Sequence, residues 1–103
     1  MADKSEKGIS KLEDLLLSRS RLGILSMLIG GDEIEFTYLR DQLGLSDGNL
    51  SVQLSKLEEA EYIKIKKSFI DRKPRTRCSI TNKGRNAMEG LVKHLEKIIN
   101  KDR

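Results

Sequence analysis

The segment LRDQLGLSDGNL, residues 39–50, constrains the fold of this chain more than any other. Two leucines spaced four residues apart can share one face of a helix, and Gly44 after them tolerates the left-handed conformation of a sharp turn. Ser46 is a favoured N-cap for a second helix, and Asp47 in its first turn suits the positive helix end. The segment therefore predicts two short helices joined by a tight glycine turn.

The second of these helices has one apolar face. Leu50, Leu54 and Leu57 recur at helical spacing, and the helix is predicted to run over residues 47–60. The first helix is predicted to begin after an N-cap at Thr37. A helix, a glycine turn and a capped helix together make a helix-turn-helix, a motif whose second helix lies in the major groove of DNA.

A strongly basic segment follows. Between Tyr62 and Arg85 the chain has nine basic residues against one acid, although its formal net charge is only +4. The positive charge is therefore local. Apolar and basic residues alternate over residues 63–69, the alternation resumes over residues 76–80, and the loop DRKPR separates the two runs. This pattern predicts a β-hairpin with a basic tip, whose inner side carries Ile63, Ile65, Phe69, Thr76, Cys78 and Ile80.

Helices are also predicted towards both ends of the chain, over residues 9–18, 20–30 and 82–100, the last of them capped by Thr81. The first and last of these helices have more apolar residues than one small core can bury, at the spacing of a packing seam. We therefore predict a homodimer whose interface contains Ile9, Leu12 and Leu16 from the first helix and Met88, Leu91, Leu95 and Ile98 from the last.

Size and composition exclude several classes of protein. A chain of 103 residues is predicted to form one domain over residues 1–103, with residues 1–7 flexible. A polar N-terminus and the lack of a long apolar run predict a soluble, cytoplasmic protein that does not bind membranes. Cys78 is the only cysteine and His94 the only histidine. Since metal sites and nucleophilic triads need clusters of such residues, we expect no enzyme, no metal and no cofactor.

Two stretches, LGLSDGNLSVQLSKLEEAEYIKI and KKSFIDRKPRTRCSITNKGRNAM, resemble the winged helix-turn-helix of MarR/ArsR-type transcriptional regulators of the compact single-domain kind. The resemblance covers about residues 21–88. Its most specific parts are LS-x-GNLS-x-x-L-x-x-LE and F-x-x-R-x-PRT…IT-x-x-GR. It implies a mainly α fold with a small β-hairpin, in which a three-helix core carries a wing and N- and C-terminal helices form a dimer. It also implies a sequence-specific regulator that binds double-stranded DNA.

The resemblance places the recognition helix in the major groove and the wing on the DNA backbone or minor groove. Helical geometry independently directs Ser55 outward and leaves Gln53 beside the apolar face. The predicted base-reading set is Gly48, Asn49, Ser51, Val52, Gln53, Ser55 and Lys56, in which Asn49 and Gln53 can pair with adenine edges and Val52 can meet a thymine methyl. The predicted wing set is Lys66, Lys67, Arg72, Lys73, Arg75 and Arg77, which can neutralise phosphates.

The chain departs from the family pattern at Glu61, where relatives usually have glycine before the wing. Glycine there takes the left-handed conformation that ends the recognition helix. Glu61 either adopts that conformation at a cost of roughly 1 kcal/mol or ends the helix in another way and tilts the wing.

Two further questions stay open from the sequence. A winged helix can instead serve as a protein-interaction or architectural chromosome-associated module, with its basic wing on an acidic partner. A small-molecule effector could bind between the dimer helices and the DNA-binding part, but no residue indicates which one. For Cys78 we favour a small buried strand residue over a redox switch.

Overall fold

The computed structural model describes the backbone of residues 11–100 and the side chains of residues 14–100. Five helices and three strands follow one another within this range. They are α1 Lys11–Leu16, α2 Arg19–Leu28, β1 Ile34–Glu35, α3 Phe36–Leu43, α4 Asp47–Glu59, β2 Ile63–Ile70, β3 Lys73–Ile80 and α5 Asn82–Asn100. The predicted helix-turn-helix is therefore α3 and α4, and the predicted hairpin, which we call the wing, is β2 and β3.

The sheet has a third strand that joins the wing to the helical part. Its strand order is β1-β3-β2, with antiparallel pairing throughout. Ile34 of β1 lies opposite Cys78, and Glu35 lies opposite Arg77. The sequence predicts an extended segment here but not its pairing partner. Because β1 runs directly into α3, this pairing fixes the helix-turn-helix against the base of the wing.

The core lies between the helices and the inner face of the sheet. Leucines of α2, α3 and α4 meet the base of the hairpin, where the apolar faces of the amphipathic helices are removed from water. The buried residues are Leu16, Ile24, Leu25, Leu28, Leu39, Leu50, Leu54, Leu57, Tyr62, Ile63, Cys78 and Leu91.

Three helices begin with a hydroxyl cap. The Oγ of Ser18 accepts from the Arg21 amide at 3.3 Å, that of Ser46 from the Asn49 amide at 3.1 Å, and Thr81 Oγ1 from the Gly84 amide at 2.9 Å. The last two caps are as predicted.

The predicted cap at Thr37 is wrong. Helix α3 starts at Phe36 and its N-cap is Glu35, which makes no side-chain capping bond. The reason is tertiary, because Glu35 is held by its pairing with Arg77 and the chain enters the helix straight from the sheet.

The start of α5 requires a glycine for close packing. A Cβ on Gly84 would collide with the carbonyl oxygen of Tyr62. The Thr81 amide donates to that same carbonyl at 2.9 Å, so the first turn of α5 lies directly on the junction between α4 and the wing. Arg85, the next residue, donates to the carbonyl of Ile29 at 2.8 Å and thereby gives a partner to the C-cap carbonyl of α2.

Among the helices described, none is both long enough and apolar enough to cross a bilayer.

Candidate nucleic-acid interface

The turn between α3 and α4 is fixed by backbone and side-chain bonds together. Gly44 is left-handed, with φ of 66°, and the Leu45 amide donates to the Arg40 carbonyl at 3.1 Å, as in a Schellman helix end. The Arg40 guanidinium donates to Asp41 and to Asp47, each at 2.9 Å. These two carboxylates raise the pKa of Arg40 above its usual value. Since Asp47 begins α4, Arg40 ties the direction of α4 to that of α3.

Helix α4 exposes a polar face opposite its buried leucines. The burial pattern agrees with the helical geometry expected from the sequence, because Leu50, Leu54 and Leu57 are buried. The exposed residues of the predicted base-reading set are Gly48, Asn49, Ser51, Val52, Ser55 and Lys56. Val52 is half exposed although it is apolar, so its methyl groups face outward.

Gln53 differs from the rest of the predicted set, because it is partly buried and bonded to another helix. Arg21 of α2 donates from Nη1 to Gln53 Oε1 at 2.6 Å and from Nε to the Leu15 carbonyl at 2.6 Å. Gln53 Nε2 in turn donates to Asn49 Oδ1 at 3.0 Å. The sequence gives no sign of Arg21 in this role, since the two residues are far apart along the chain.

Glu61 ends α4 in the left-handed conformation, with φ of 65°. The Tyr62 amide donates to the Leu57 carbonyl at 3.0 Å and the Glu61 amide to the Glu58 carbonyl at 2.9 Å, which completes a Schellman motif. The first of the two predicted alternatives is therefore confirmed. Two contacts support this conformation: Lys83 lies 3.1 Å from the Glu61 carboxylate, and Thr81 Oγ1 donates to the Glu61 carbonyl at 2.7 Å.

The tip of the wing is tighter than predicted. The loop expected over residues 71–75 is wrong, because β2 continues to Ile70 and β3 begins at Lys73. Asp71 and Arg72 alone make the turn, with φ of 52° and 66°, as a type I′ hairpin turn requires. Pro74 pairs opposite Phe69 in β3 and is tolerated there because β1 reaches only Arg77 and Cys78.

Each face of the wing carries a different set of side chains, because residues alternate along a strand and opposite residues share a face. Three of the predicted DNA-binding cations lie on the outer face and form ion pairs with carboxylates of the same chain. Arg75 contacts Glu35 at 3.0 Å, while Lys66 and Arg77 contact Glu33 at 3.7 and 3.9 Å. Acids of β1 and the residue before it thus partly neutralise the outer face.

The remaining wing cations have no ion pair within the part of the chain that the structure describes. Lys67, Arg72 and Lys73 are exposed, and the last two lie at the tip. Lys67 is on the inner face and, with Thr76, lines a cavity of about 320 Å³ whose other wall is formed by Ser51 and Ser55 of α4. The outward side of α4 and the inner side of the wing therefore border one groove. We call the exposed face of α4 with Lys67, Arg72 and Lys73 the groove surface.

Phe69 lies on the inner face of the hairpin, as alternation predicts, but it is not buried. It lies beyond the core, and 76% of it is exposed. The hairpin is longer than the helices that cover it, so alternation places Phe69 on the correct face without burying it.

The other reactive side chains have structural surroundings. Cys78 is buried in β3, and burial raises the pKa of its thiol to about 11, with the nearby Glu58 carboxylate adding to the shift. The thiol is therefore neutral at neutral pH, as expected of a buried strand residue. Across residues 14–100 no group of His, Cys, Asp and Glu has the arrangement of a metal site.

The predicted dimer seam divides into buried and exposed parts. Leu16 and Leu91 belong to the core of their own chain, so their assignment to the seam is revised: they are not available to a second chain. Met88 packs against that core and is partly buried. Ile9 lies outside the described residues, as does the side chain of Leu12. The second half of α5 is exposed, at 52% for Val92, 40% for Leu95, 50% for Ile98 and 60% for Ile99, and we call these four residues the α5 apolar surface.

Solved structures with this architecture include regulators of transcription. Residues 20–99 match the model of a family described as a winged helix DNA-binding domain. An uncharacterized protein of Methanocaldococcus jannaschii is 44% identical over 72 residues, which are 70% of this chain and 78% of that protein. The structure of a transcriptional regulator homologue from Pyrococcus horikoshii OT3 superposes with a TM-score of 0.77 at 30% identity, covering 84% of this chain and 86% of that one.

A MarR family transcriptional regulator from Silicibacter pomeroyi shares the fold at a TM-score of 0.64 and 21% identity, covering 84% of this chain and 57% of that one. The predicted winged helix-turn-helix fold and the predicted resemblance are thus confirmed. This chain belongs to the winged helix DNA-binding domain family of transcriptional regulators.

Proposed function

We propose that this protein is a sequence-specific transcriptional regulator that binds double-stranded DNA as a homodimer. The observation that carries the proposal is the groove surface, where the exposed polar face of α4 and the unpaired Lys67 border one groove and two further unpaired cations, Arg72 and Lys73, lie at the tip of the same wing. A B-DNA major groove is wide enough to admit a helix, and the adjacent phosphates are then within reach of a hairpin beside it.

In this proposal α4 reads bases. Gly48 lets the backbone approach the groove closely, because it has no side chain and nothing lies within 4 Å of its Cβ position. Asn49, Ser51 and Ser55 offer polar groups to base edges, and Val52 offers methyl groups to thymine.

The wing supplies affinity that depends little on sequence. Arg72 and Lys73 at the tip have the least competition from protein carboxylates, so they are the strongest candidates for phosphate contacts or insertion into a narrow minor groove. Lys66, Arg75 and Arg77 are secondary candidates, because a phosphate must compete there with Glu33 and Glu35.

The dimer is proposed from the shape and chemistry of α5. The second half of α5 extends past the core, since its apolar residues after Leu91 are all at least 40% exposed. The α5 apolar surface lies on that projecting half, where water would otherwise cover it. A second copy of the chain, packed through the same residues, buries it with twofold symmetry and spaces two α4 helices for two half-sites.

Selection of bound fragments from a randomised duplex library tests the proposal directly. We expect enrichment of an inverted repeat, one half for each subunit. Titration of the enriched duplex and a scrambled duplex at several salt concentrations separates the alternative functions. Equal affinity for both duplexes would indicate an architectural module, and no binding to either would indicate a protein-interaction module.

A further inference from the structure

The bond chain from Arg21 through Gln53 to Asn49 has a direction that chemistry fixes. A guanidinium has only hydrogen-bond donors, so the Gln53 atom that Arg21 contacts at 2.6 Å must be the carbonyl oxygen. The Gln53 amide nitrogen then points the other way, and it donates to Asn49 at 3.0 Å. That contact in turn requires the oxygen of Asn49, because two amide nitrogens cannot hydrogen-bond each other in this way.

Arg21 is itself held in place. Its Nε donates to the Leu15 carbonyl at 2.6 Å, near the end of α1, and the side chain is only partly exposed. A guanidinium bound at two of its nitrogens keeps one orientation, since its donors form a rigid planar fork. The orientation of both amides on α4 is therefore set from α2, before any DNA is bound.

We propose that Arg21 is a positioning residue for base readout, which turns Gln53 and Asn49 so that α4 presents hydrogen-bond donors to DNA. The inference rests on the proposed function. One Nε2 hydrogen of Gln53 and both Nδ2 hydrogens of Asn49 remain for bases, whereas the Gln53 oxygen is turned towards Arg21. Guanine presents two acceptors, N7 and O6, in the major groove, while adenine presents an acceptor and a donor. The arrangement selects guanine over adenine at the position that Gln53 faces, which revises the adenine pairing expected of Gln53 from sequence alone.

The first test uses the free protein and needs no DNA. Two-dimensional amide NMR of Arg21→Ala should shift the side-chain NH₂ resonances of both Gln53 and Asn49. Arg19→Ala is the matched control, because it removes the same charge from the same helix and Arg19 makes no side-chain bond within the described residues. If Arg21→Ala left both NH₂ pairs unmoved, the bond chain would not exist in solution and the proposal would be overturned.

The second test measures discrimination on the duplex enriched by the native protein, and on variants with each guanine in turn replaced by adenine. We expect the native protein to lose about tenfold in affinity at one position per half-site, and Arg21→Ala to lose most of that discrimination. In Arg21→Ala the Gln53 amide is free to turn and accept from adenine. Arg19→Ala should keep the native discrimination. An Arg21→Ala protein that weakens binding to all duplexes by the same factor would contradict positioning.

Gln53→Glu keeps the proposal testable if Arg21→Ala does not fold. The carboxylate retains a partner for Arg21 but cannot donate to Asn49 or to a base, so guanine preference at that position should disappear and a base that offers a donor should be preferred. Retained guanine preference in this variant overturns the proposal. Failure to enrich any duplex would instead overturn the proposed function and the base readout with it, while the NMR arm would still report on the bond chain.

Discussion

The α5 apolar surface and the groove surface are both exposed in the single chain, and they differ in almost every other respect. One consists of four aliphatic side chains on one helix, whereas the other combines backbone, amides, hydroxyls and cations from three elements. Apolar surface is hidden by any close-packed partner, since its driving force is proportional to the area removed from water and has no direction. Polar groups instead select partners whose own donors, acceptors and charges match.

The difference predicts that the two associations differ in their sensitivity to salt. Cations that neutralise phosphates release counterions, so their binding weakens steeply as salt rises, whereas burial of apolar area does not. One protein should therefore have a salt-sensitive and a salt-insensitive association, on two surfaces that can be altered separately.

The largest expected effect is on the α5 apolar surface. Leu95→Asp places a carboxylate in the proposed interface of each subunit, and an unpaired buried charge costs several kcal/mol, so the dimer dissociation constant should rise by about a thousandfold or more. Because Leu95 is 40% exposed in the single chain, the variant should remain folded. Light scattering at micromolar concentration should change from twice 11.7 kDa to 11.7 kDa.

Glu96→Ala is the control for that experiment, since Glu96 is an exposed neighbour on the same helix and should leave the mass unchanged. A native protein of 11.7 kDa at micromolar concentration would show that α5 is not a dimer interface.

The next largest effect is the salt dependence of DNA binding. If a dimer neutralises on the order of eight phosphates, the log-log slope of the binding constant against salt is about −7, which is a loss of roughly 10⁴ between 50 and 200 mM. Fluorescence anisotropy with the enriched duplex measures the slope, and light scattering over the same range should report a constant mass. A mass that falls with salt as the affinity does would mean that the two surfaces are not independent.

The cations at the wing tip should contribute more to the salt dependence of DNA binding than those on the outer face. Arg72→Ala or Lys73→Ala removes two cations per dimer and should flatten the slope by about 1.8 while target and scrambled duplexes weaken alike. Arg75→Ala should flatten it less, because Glu35 already neutralises part of that charge. Equal slopes for Arg72→Ala and Arg75→Ala would indicate that the ion pair opens without cost when DNA binds.

Removing a carboxylate from the outer face should strengthen DNA binding, whereas removing a cation weakens it. Glu35→Gln removes the partner of Arg75 without changing the size of the side chain, and we expect tighter binding to every duplex, by about threefold to tenfold, since an exposed ion pair contributes up to about 1 kcal/mol and each dimer has two. Competition anisotropy measures the ratio. Asp32→Gln, which changes an exposed acid outside these ion pairs, is the control, and a Glu35→Gln protein no tighter than it would argue against competition.

The smallest expected effect is at the junction between α4 and the wing. Glu61→Gly should stabilise the fold by up to about 1 kcal/mol, because glycine adopts the left-handed conformation without strain, although it loses the exposed contact with Lys83. Glu59→Gly, two residues earlier in the last turn of α4, should destabilise by up to about 1 kcal/mol. Urea denaturation distinguishes the two, and a clear loss of stability in Glu61→Gly would mean that the Lys83 contact outweighs the strain.

Local chemistry made much of this molecule predictable. The caps at Ser46 and Thr81, the turn at Gly44 and the outward face of α4 all depend on residues within about four positions of each other, where sequence spacing determines distance. The same reasoning identified Glu61 as the unusual helix end, since the family pattern expects glycine at that position.

Errors arose wherever a distant segment intervened. Thr37 does not cap α3, because the pairing of Glu35 with Arg77 makes the helix begin earlier, at Phe36. Phe69 is exposed because no helix extends far enough to cover it. Leu16 and Leu91 have the spacing of a seam, but spacing cannot say whether the partner is the same chain or a second one. In this fold they are core residues.

The sequence by itself determined the helix-turn-helix, the hairpin and the local concentration of positive charge. Each follows from the periodicity, the capping residues or the composition of one short segment. Only the tertiary structure decided which charges and amides remain available to a partner. Glu33 and Glu35 engage Lys66, Arg75 and Arg77, and Arg21 engages Gln53 across 32 positions of sequence. Such pairs form when packing brings separate elements within hydrogen-bond distance, and no spacing along the chain encodes that distance.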